Sequence, residues 1–293
     1  MCMRASLRYL LLSLVLILFL PILGFLAVHA QDQGKEIERN AALLESDNIG
    51  EKIQASAFLA NLTREELGPL VLSKVKRIFE RELKPTKLFR DLALKPGITL
   101  DDIPPELRIV NSEGWDTYLS NLCRIVAKLG DMELLPDLLE LRTSPKEIIG
   151  YGEAALGLTI RMLRGEWPER KYQDPSTQMY ATQILVRFME EKENGYVARG
   201  ETRKKIRAAL IDKALSEKNI GLKSLIVRSF GDLGDDEFVP VLEAIEKSDS
   251  SSYRAKADPE FDKDEPAGEM VVRYPVRKAA REALEKIRQK KNR

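Results

Sequence analysis

Two stretches of this 293-residue chain repeat one another, and that repeat constrains the fold more than any other feature. Residues 122–141 read LCRIVAKLGDMELLPDLLEL and residues 226–245 read IVRSFGDLGDDEFVPVLEAI. Aligned without a gap they share Arg124/Arg228, Leu129/Leu233, Gly130/Gly234, Asp131/Asp235, Glu133/Glu237, Pro136/Pro240 and Leu138/Leu242. The first half of each copy has apolar residues at helical spacing. The glycines stand just past its end, where a backbone with positive φ is wanted. Asp131 and Asp235 are placed to cap the next helix, and Glu133 and Glu237 suit its positive end. Pro136 and Pro240 fall early in that second helix, where a missing N–H costs least. Leu138 and Leu242 open its buried face. Each copy therefore predicts a helix, a tight turn and an antiparallel helix.

This pattern resembles the HEAT repeat, in particular its short bacterial form, V-R-x-A-A-x-x-A-L-G-x-[IL]-G-D. Residues 276–287, VRKAAREALEKI, match its helical half, with Val276, Ala279, Ala280, Ala283, Leu284 and Ile287 forming one stripe. Phe230-Gly231-Asp232-Leu233-Gly234-Asp235 matches its L-G-x-I-G-D end. Looser copies are EAALGLTIRML at 153–163 and MYATQILVRFM at 179–189, and TRKKIRAALIDKAL at 202–215 is a further amphipathic helix. The resemblance implies an all-α fold. It is an α-solenoid of stacked antiparallel helix pairs over residues 114–293, carrying an N-terminal helical cap.

Residues 31–113 read as that cap and a connection. Glu36 to Leu62 has apolar residues at helical intervals, and Thr63-Arg64-Glu65-Glu66 is a capping-box signature. Leu70, Val71, Val75, Ile78 and Phe79 then share a face up to about Leu83. Residues 84–113 contain Pro85, Pro96, Gly97, Pro104 and Pro105, which predicts a loop with at most a short helix.

Residues 1–30 read as an address. Arg4 and Arg8 precede an uncharged stretch from Tyr9 to Val28, which closes on Ala27-Val28-His29-Ala30. Small side chains at Val28 and Ala30 predict a secretory signal cleaved after Ala30, and hence a periplasmic or secreted protein. The alternative is a retained anchor helix, since 20 apolar residues just span a bilayer. Pro21 and Gly24 interrupt such a helix. Cys2 lies too early to be a lipoprotein cysteine.

Cleavage removes His29, the one histidine, and Cys2, one of the two cysteines. What remains has no imidazole and a single thiol. That excludes Ser-His-Asp and Cys-His nucleophile systems, zinc sites built on His, and His-ligated haem. Neither GxxxxGK[ST] nor GxGxxG occurs. Cys123, inside an apolar helical stretch, reads as a small buried hydrophobe. With 47 basic and 46 acidic residues the chain is not a magnet for nucleic acid or acidic lipid. No cofactor or metal is expected.

Three segments stand out as candidate sites. Trp167, Arg170, Lys171 and Tyr172, in GEWPERKYQDP at 165–175, are of types enriched at binding hot spots. They lie in a loop between repeat helices, and such loops gather on one edge of a solenoid. The alternative for Trp167 is to plug the gap between two repeats. The insert 248–270 places Asp258, Glu260, Asp262, Asp264 and Glu269 at the ligand positions of a calcium-loop frame. Lys263 and Glu265 stand there where Gly and an apolar residue belong, so an acidic, solvated loop is expected instead. The basic run from Arg281 to Arg293 suits either a phosphate surface or the negative end of its own helix, and the second reading is preferred.

The function these features imply is that of an exported, non-enzymatic HEAT-like repeat protein. It would act as a protein-binding scaffold or adaptor in the cell envelope. The alternatives are a HEAT-like lyase or DNA glycosylase, a carboxylate-based enzyme, and a membrane-tethered assembly factor. The export signal and the balanced charge argue against the first two enzymes, and no pair of carboxylates has a geometric reason to cooperate.

Overall fold

A computed structural model describes residues 32–93, 95–166, 175–190, 196–257 and 269–292. The protein is mostly helical. Its contacts divide the chain into two compact units, Met1–Leu129 and Gly130–Arg293.

The first unit comprises α1 (residues 32–43), α2 (Ile49–Asn61), α3 (Arg64–Ala93), α4 (Pro105–Arg108) and α5 (Glu113–Ala127). Asn48 starts α2 by accepting from the Gly50 N–H at 2.8 Å, and it breaks the helical periodicity that otherwise runs from 36 to 62. Thr63 and Glu66 form the expected capping box. The Glu66 N–H reaches the Thr63 hydroxyl at 3.2 Å, and the Thr63 N–H reaches the Glu66 carboxylate at 2.6 Å. Gly68 then leaves helical geometry (φ 66, ψ 165), and Pro69 restarts the helix. Leu70 is consequently thrown out to solvent at 85 % exposure, off the stripe on which the sequence places it. Val75, Ile78, Phe79 and Leu83 keep that stripe buried.

The proline-rich connection is more helical than the sequence implies. Pro85 lies inside α3, which runs on to Ala93. Proline deletes one helical hydrogen bond, but burial of Leu83 and Thr86 on either side holds the helix through it. The Thr86 hydroxyl also bonds the Glu82 carbonyl at 2.9 Å and accepts from the Trp115 indole at 3.2 Å. Two single 3₁₀ turns, Leu100–Asp102 and Ile109–Asn111, flank α4.

Helix α5 packs against α2 and α3. Tyr118 donates to the Leu44 carbonyl at 3.1 Å, and Asn121 donates to the Ser56 hydroxyl at 3.1 Å. The Lys128 ammonium binds the carbonyls of Ala60 and Leu62, closing the C-terminal end of α2. Cys123 is buried. The first helix of the 122–141 copy thus belongs to one compact unit and the second to the other.

The second unit comprises α6 (Leu135–Glu140), α7 (Pro145–Ile149), α8 (Glu153–Arg164), α9 (Pro175–Met189), α10 (Gly200–Ser216), α11 (Ile220–Leu233), α12 (Val239–Ser248), β1 (Tyr253–Lys256), β2 (Met270–Arg273) and α13 (Pro275–Lys291). Helices one apart in sequence pack in pairs: α6 with α7, α8 with α9, α10 with α11, and α12 with α13. Helices two apart also pack, in two ladders. One runs α6, α8, α10, and the other runs α7, α9, α11, α13.

The stripe read from the sequence is the buried face of α13: Val276, Ala279, Ala280, Ala283, Leu284 and Ile287. Its tightest approach is to Gly231 of α11. A β-carbon there would lie 2.6 Å from the Ala283 Cα. Phe230 and Phe238 stack at 4.1 Å across the turn between α11 and α12. Gly130 and Gly234 both have positive φ, 68° and 78°, and Pro136 and Pro240 are each the second residue of their helix. The glycines and prolines keep their backbone roles in both copies, although Gly234 directly caps α11 while Gly130 lies three residues past the end of α5. Neither aspartate caps the following helix as the sequence implies: Asp131 closes a turn by accepting from the Glu133 N–H at 3.0 Å, four residues before α6 begins, and Asp235 makes no side-chain cap.

The insert between α12 and α13 also departs from a plain loop. Its two ends pair as an antiparallel ribbon, β1 with β2. Among the described residues this ribbon is the only sheet.

Candidate functional site

Asp235 leads to a hollow in the second unit. Instead of capping, the Asp235 carboxylate takes two parallel hydrogen bonds from Arg203 (2.7 and 3.1 Å) and one from Arg207 (3.1 Å). Two arginines four residues apart on α10 share one helix face, so both reach the α11–α12 turn. Arg207 also holds Glu237 at 2.6 Å. A fork of two N–H groups on two carboxylate oxygens fixes orientation as well as charge. Asp235 and Glu237 therefore tie α10 to the turn after α11.

Beside this fork lies a cavity of about 950 Å³ within the second unit. Its walls come from the ends of three helices of one ladder and the start of α10. Met189 ends α9, Asp232 and Leu233 end α11, Lys290 lies in the last turn of α13, and Gly200 and Arg203 open α10. Ala198, Arg199 and Glu190 complete it. Helix C-termini leave carbonyls unpaired, and cations suit them. Arg203 donates to the Met189 carbonyl at 2.8 Å. Lys290 binds the Asp232 carbonyl, its stem passing over Gly234, where a β-carbon would lie 2.8 Å from the Lys290 Cδ.

The stretch that carries Arg199 is held from three sides. The Ala198 N–H bonds the Phe188 carbonyl at 2.7 Å, and Tyr196 packs edge-on to Phe188 at 5.8 Å. Tyr196 (3.0 Å) and Thr202 (2.7 Å) both donate to one oxygen of Glu153. The Thr202 and then the Tyr196 hydroxyl hold the Glu153 carboxyl below its ordinary value. Burial first, and then the bond to Glu153, push the Tyr196 hydroxyl up. Arg199 itself is exposed at the cavity wall and precedes a helix whose start has no side-chain cap.

The two acidic residues of the cavity are already engaged, Glu190 with Arg187 at 3.2 Å and Asp232 with Lys286 at 2.7 Å. A smaller hollow of about 280 Å³ shares Glu190 and is lined also by Lys146, Gln183, Arg187 and Ser229. What this edge offers is a set of cations, Arg199, Arg203 and Lys290, over a floor in which Met189 and Ala198 are buried. That combination selects by shape and charge.

Trp167, Arg170, Lys171 and Tyr172 lie outside the described residues, as do Asp258, Glu260, Asp262 and Asp264 of the calcium-like frame. The basic run of α13 is described up to Lys291, and three of its side chains form exposed ion pairs with acids of the same unit. Arg281 pairs with Glu246 at 2.8 Å, Lys286 with Asp232, and Lys291 with Asp236 at 2.8 Å. Arg199, Arg203 and Asp235 were not singled out from the sequence as a site. The one legible hint was the Arg203/Arg207 spacing on α10. Among the described residues no helix is long and apolar enough to cross a membrane. Comparison with protein-family models, curated proteins and solved structures finds no match for this chain.

Proposed function

We propose that this chain is an exported, non-enzymatic repeat protein of the HEAT-like kind, a protein-binding scaffold or adaptor of the cell envelope. The observation that supports it is the double ladder of the second unit, in which α6, α8 and α10 pack in one row and α7, α9, α11 and α13 in another, with α12 on α13. Stacked pairs of this sort bury their faces in one another and leave edges and a broad surface for partners. The partner surface in this reading is the edge that carries Arg199, Arg203 and Lys290; the loop of Trp167, Arg170, Lys171 and Tyr172 is kept as a separate candidate that rests on the sequence alone. Residues 1–30 act as the secretory signal, and the working chain begins at Gln31.

The test is recovery of partners from envelope extract on the immobilised chain. The parent is compared with Arg199→Glu/Lys290→Glu, with Trp167→Ala and with a deletion of 248–270. A protein retained by the parent and lost from the charge-reversed variant supports the assigned edge. Identical recovery on all four chains removes it. N-terminal sequencing of the exported protein reads the cleavage separately, and a retained Met1 or a start other than Gln31 overturns that part.

A further inference from the structure

The ribbon of β1 and β2 has two open edges among the described residues, and they are chemically unlike. Its register sets Tyr253 opposite Arg273, Arg254 opposite Val272, Ala255 opposite Val271, and Lys256 opposite Met270. Just beyond, the Ala257 N–H donates to the Glu269 carbonyl at 2.6 Å. Hydrogen-bonded and non-bonded pairs alternate along an antiparallel ladder. Counting from Ala257/Glu269, the pairs Ala255/Val271 and Tyr253/Arg273 carry the ribbon's own bonds. Arg254 and Lys256 therefore turn their N–H and C=O groups to the outer edge of β1. Met270 and Val272 turn theirs to the outer edge of β2.

The β1 edge is protected against a second copy of itself. Antiparallel pairing there sets outward residues against outward residues, so Arg254 would face Lys256 of the other chain. Like charges directly opposite are destabilising, and charged edge residues are a common guard against pairing. The β2 edge has no such guard. Met270 is 60 % and Val272 48 % exposed. Pairing about Val271 places Met270 against Val272 of the other copy, twice over, with the outward N–H and C=O groups of both in bonding register. Val271 meets its own copy on the twofold axis. Glu269 faces Arg273 of the other copy, again twice. Backbone phase and apolar match permit this register and the Glu269–Arg273 charge match selects it, and a twofold contact must be self-complementary in this way.

We propose that two copies of the chain join along β2, giving a four-stranded sheet in the order β1-β2-β2-β1. Isolated two-stranded ribbons are marginal, and three or more strands make an independently stable sheet. The occupant of the edge is thus a second copy of this chain. The proposal stands apart from the partner edge at Arg199, which lies on other residues.

The test is carried out on the full chain. Val271 and its copy would form a non-bonded pair with Cα atoms about 4.5 Å apart, within the reach of a disulfide. Under mild oxidation Val271→Cys is expected to cross-link into a dimer well above the parent background. Met270→Cys and Val272→Cys, which face each other rather than themselves, should cross-link several-fold less. In sedimentation equilibrium Glu269→Arg should shift the chain to monomer, and adding Arg273→Glu should restore the dimer. Val272→Pro removes only an outward N–H, the kind of proline an edge strand tolerates. It should give a monomer with an unchanged thermal melt. A parent that stays monomeric at high concentration, or equal cross-linking at 270, 271 and 272, overturns the proposal.

Discussion

The ammonium of Lys223 lies 2.6 Å from the carboxylate of Asp249, with side chains only 11 % and 6 % exposed. Asp249 also accepts from the Ser251 N–H at 2.9 Å, and its own carbonyl accepts from Arg277 at 2.5 Å. The pair therefore fixes the point where α12 hands over to the ribbon. Burial works to raise the Asp249 carboxyl, but bonds from Lys223 and Ser251 outweigh it and hold the group below its ordinary 3.8.

A carboxyl depressed by folding contributes stability at pH above its unfolded value, and that contribution is lost as pH falls through the folded one. The Asp249 share should begin to fade below about pH 4 and be gone once the folded group is protonated. Urea unfolding between pH 2.5 and 7 should show a shallower acid limb in Asp249→Asn than in the parent. Lys223→Met strands a buried carboxylate and should cost about 3 kcal/mol at pH 7. Lys223→Met/Asp249→Leu should cost clearly less than the sum of its single changes.

Gly231 and Gly157 should respond in opposite directions to the same substitution. At Gly231 an added methyl meets Ala283 at 2.6 Å from Cα and 3.1 Å from its carbonyl oxygen, so backbone must move. Gly231→Ala should destabilise by about 2 kcal/mol, a typical overpacking cost. Gly157 is an exposed helical residue of α8 with nothing within 4 Å of the added carbon. Gly157→Ala should stabilise by about 0.5–1 kcal/mol. Chemical denaturation of both variants checks the pair.

The capping box at the start of α3 gives a local prediction. Thr63→Ala removes the acceptor of the Glu66 N–H and should cost about 1 kcal/mol. Thr63→Ser keeps that acceptor and should cost a few tenths of a kcal/mol at most. Hydrogen exchange should show the loss first at the Glu66 amide.

Removing the acid that holds α10 tests the cavity wall. Asp235→Ala leaves the Arg203 and Arg207 guanidiniums without their shared carboxylate and should destabilise by about 2 kcal/mol. If this edge carries the partner, the same change should weaken binding more than Arg281→Ala, which breaks an exposed pair with Glu246 away from the cavity. Equal loss from both variants would count against the assigned edge.

The helical character, the buried face of α13 and the local roles of Gly130, Gly234, Pro136 and Pro240 were legible in the sequence, because each depends on residues close together in the chain; the pairing of helices was not, since α11 pairs with α10 and α12 with α13. The Val276–Ile287 stripe needs only a period of 3.6 to be seen. The role of Asp235 was not legible. Its neighbours match those of Asp131, and only the arginines brought over by α10 make it a receiver of ion pairs. The ribbon was missed for a different reason. YRAK and MVVR are four residues each, too short for alternation to stand out from a loop. The assignment of α5 to the first unit was hidden by the repeat itself. Trp115, Tyr118 and Asn121 bury that helix against α2 and α3, whereas the copy read only from residue 122 onward.

Arg203 and Lys290 serve two masters. Each closes the frayed carbonyl end of a helix, α9 for one and α11 for the other, and each also looks into the cavity. A guest that draws either side chain toward itself uncaps the helix behind it. Occupancy and the looseness of those two helix tips are then a single balance, and amide exchange at Met189 and Asp232 would register a visitor before any larger movement did.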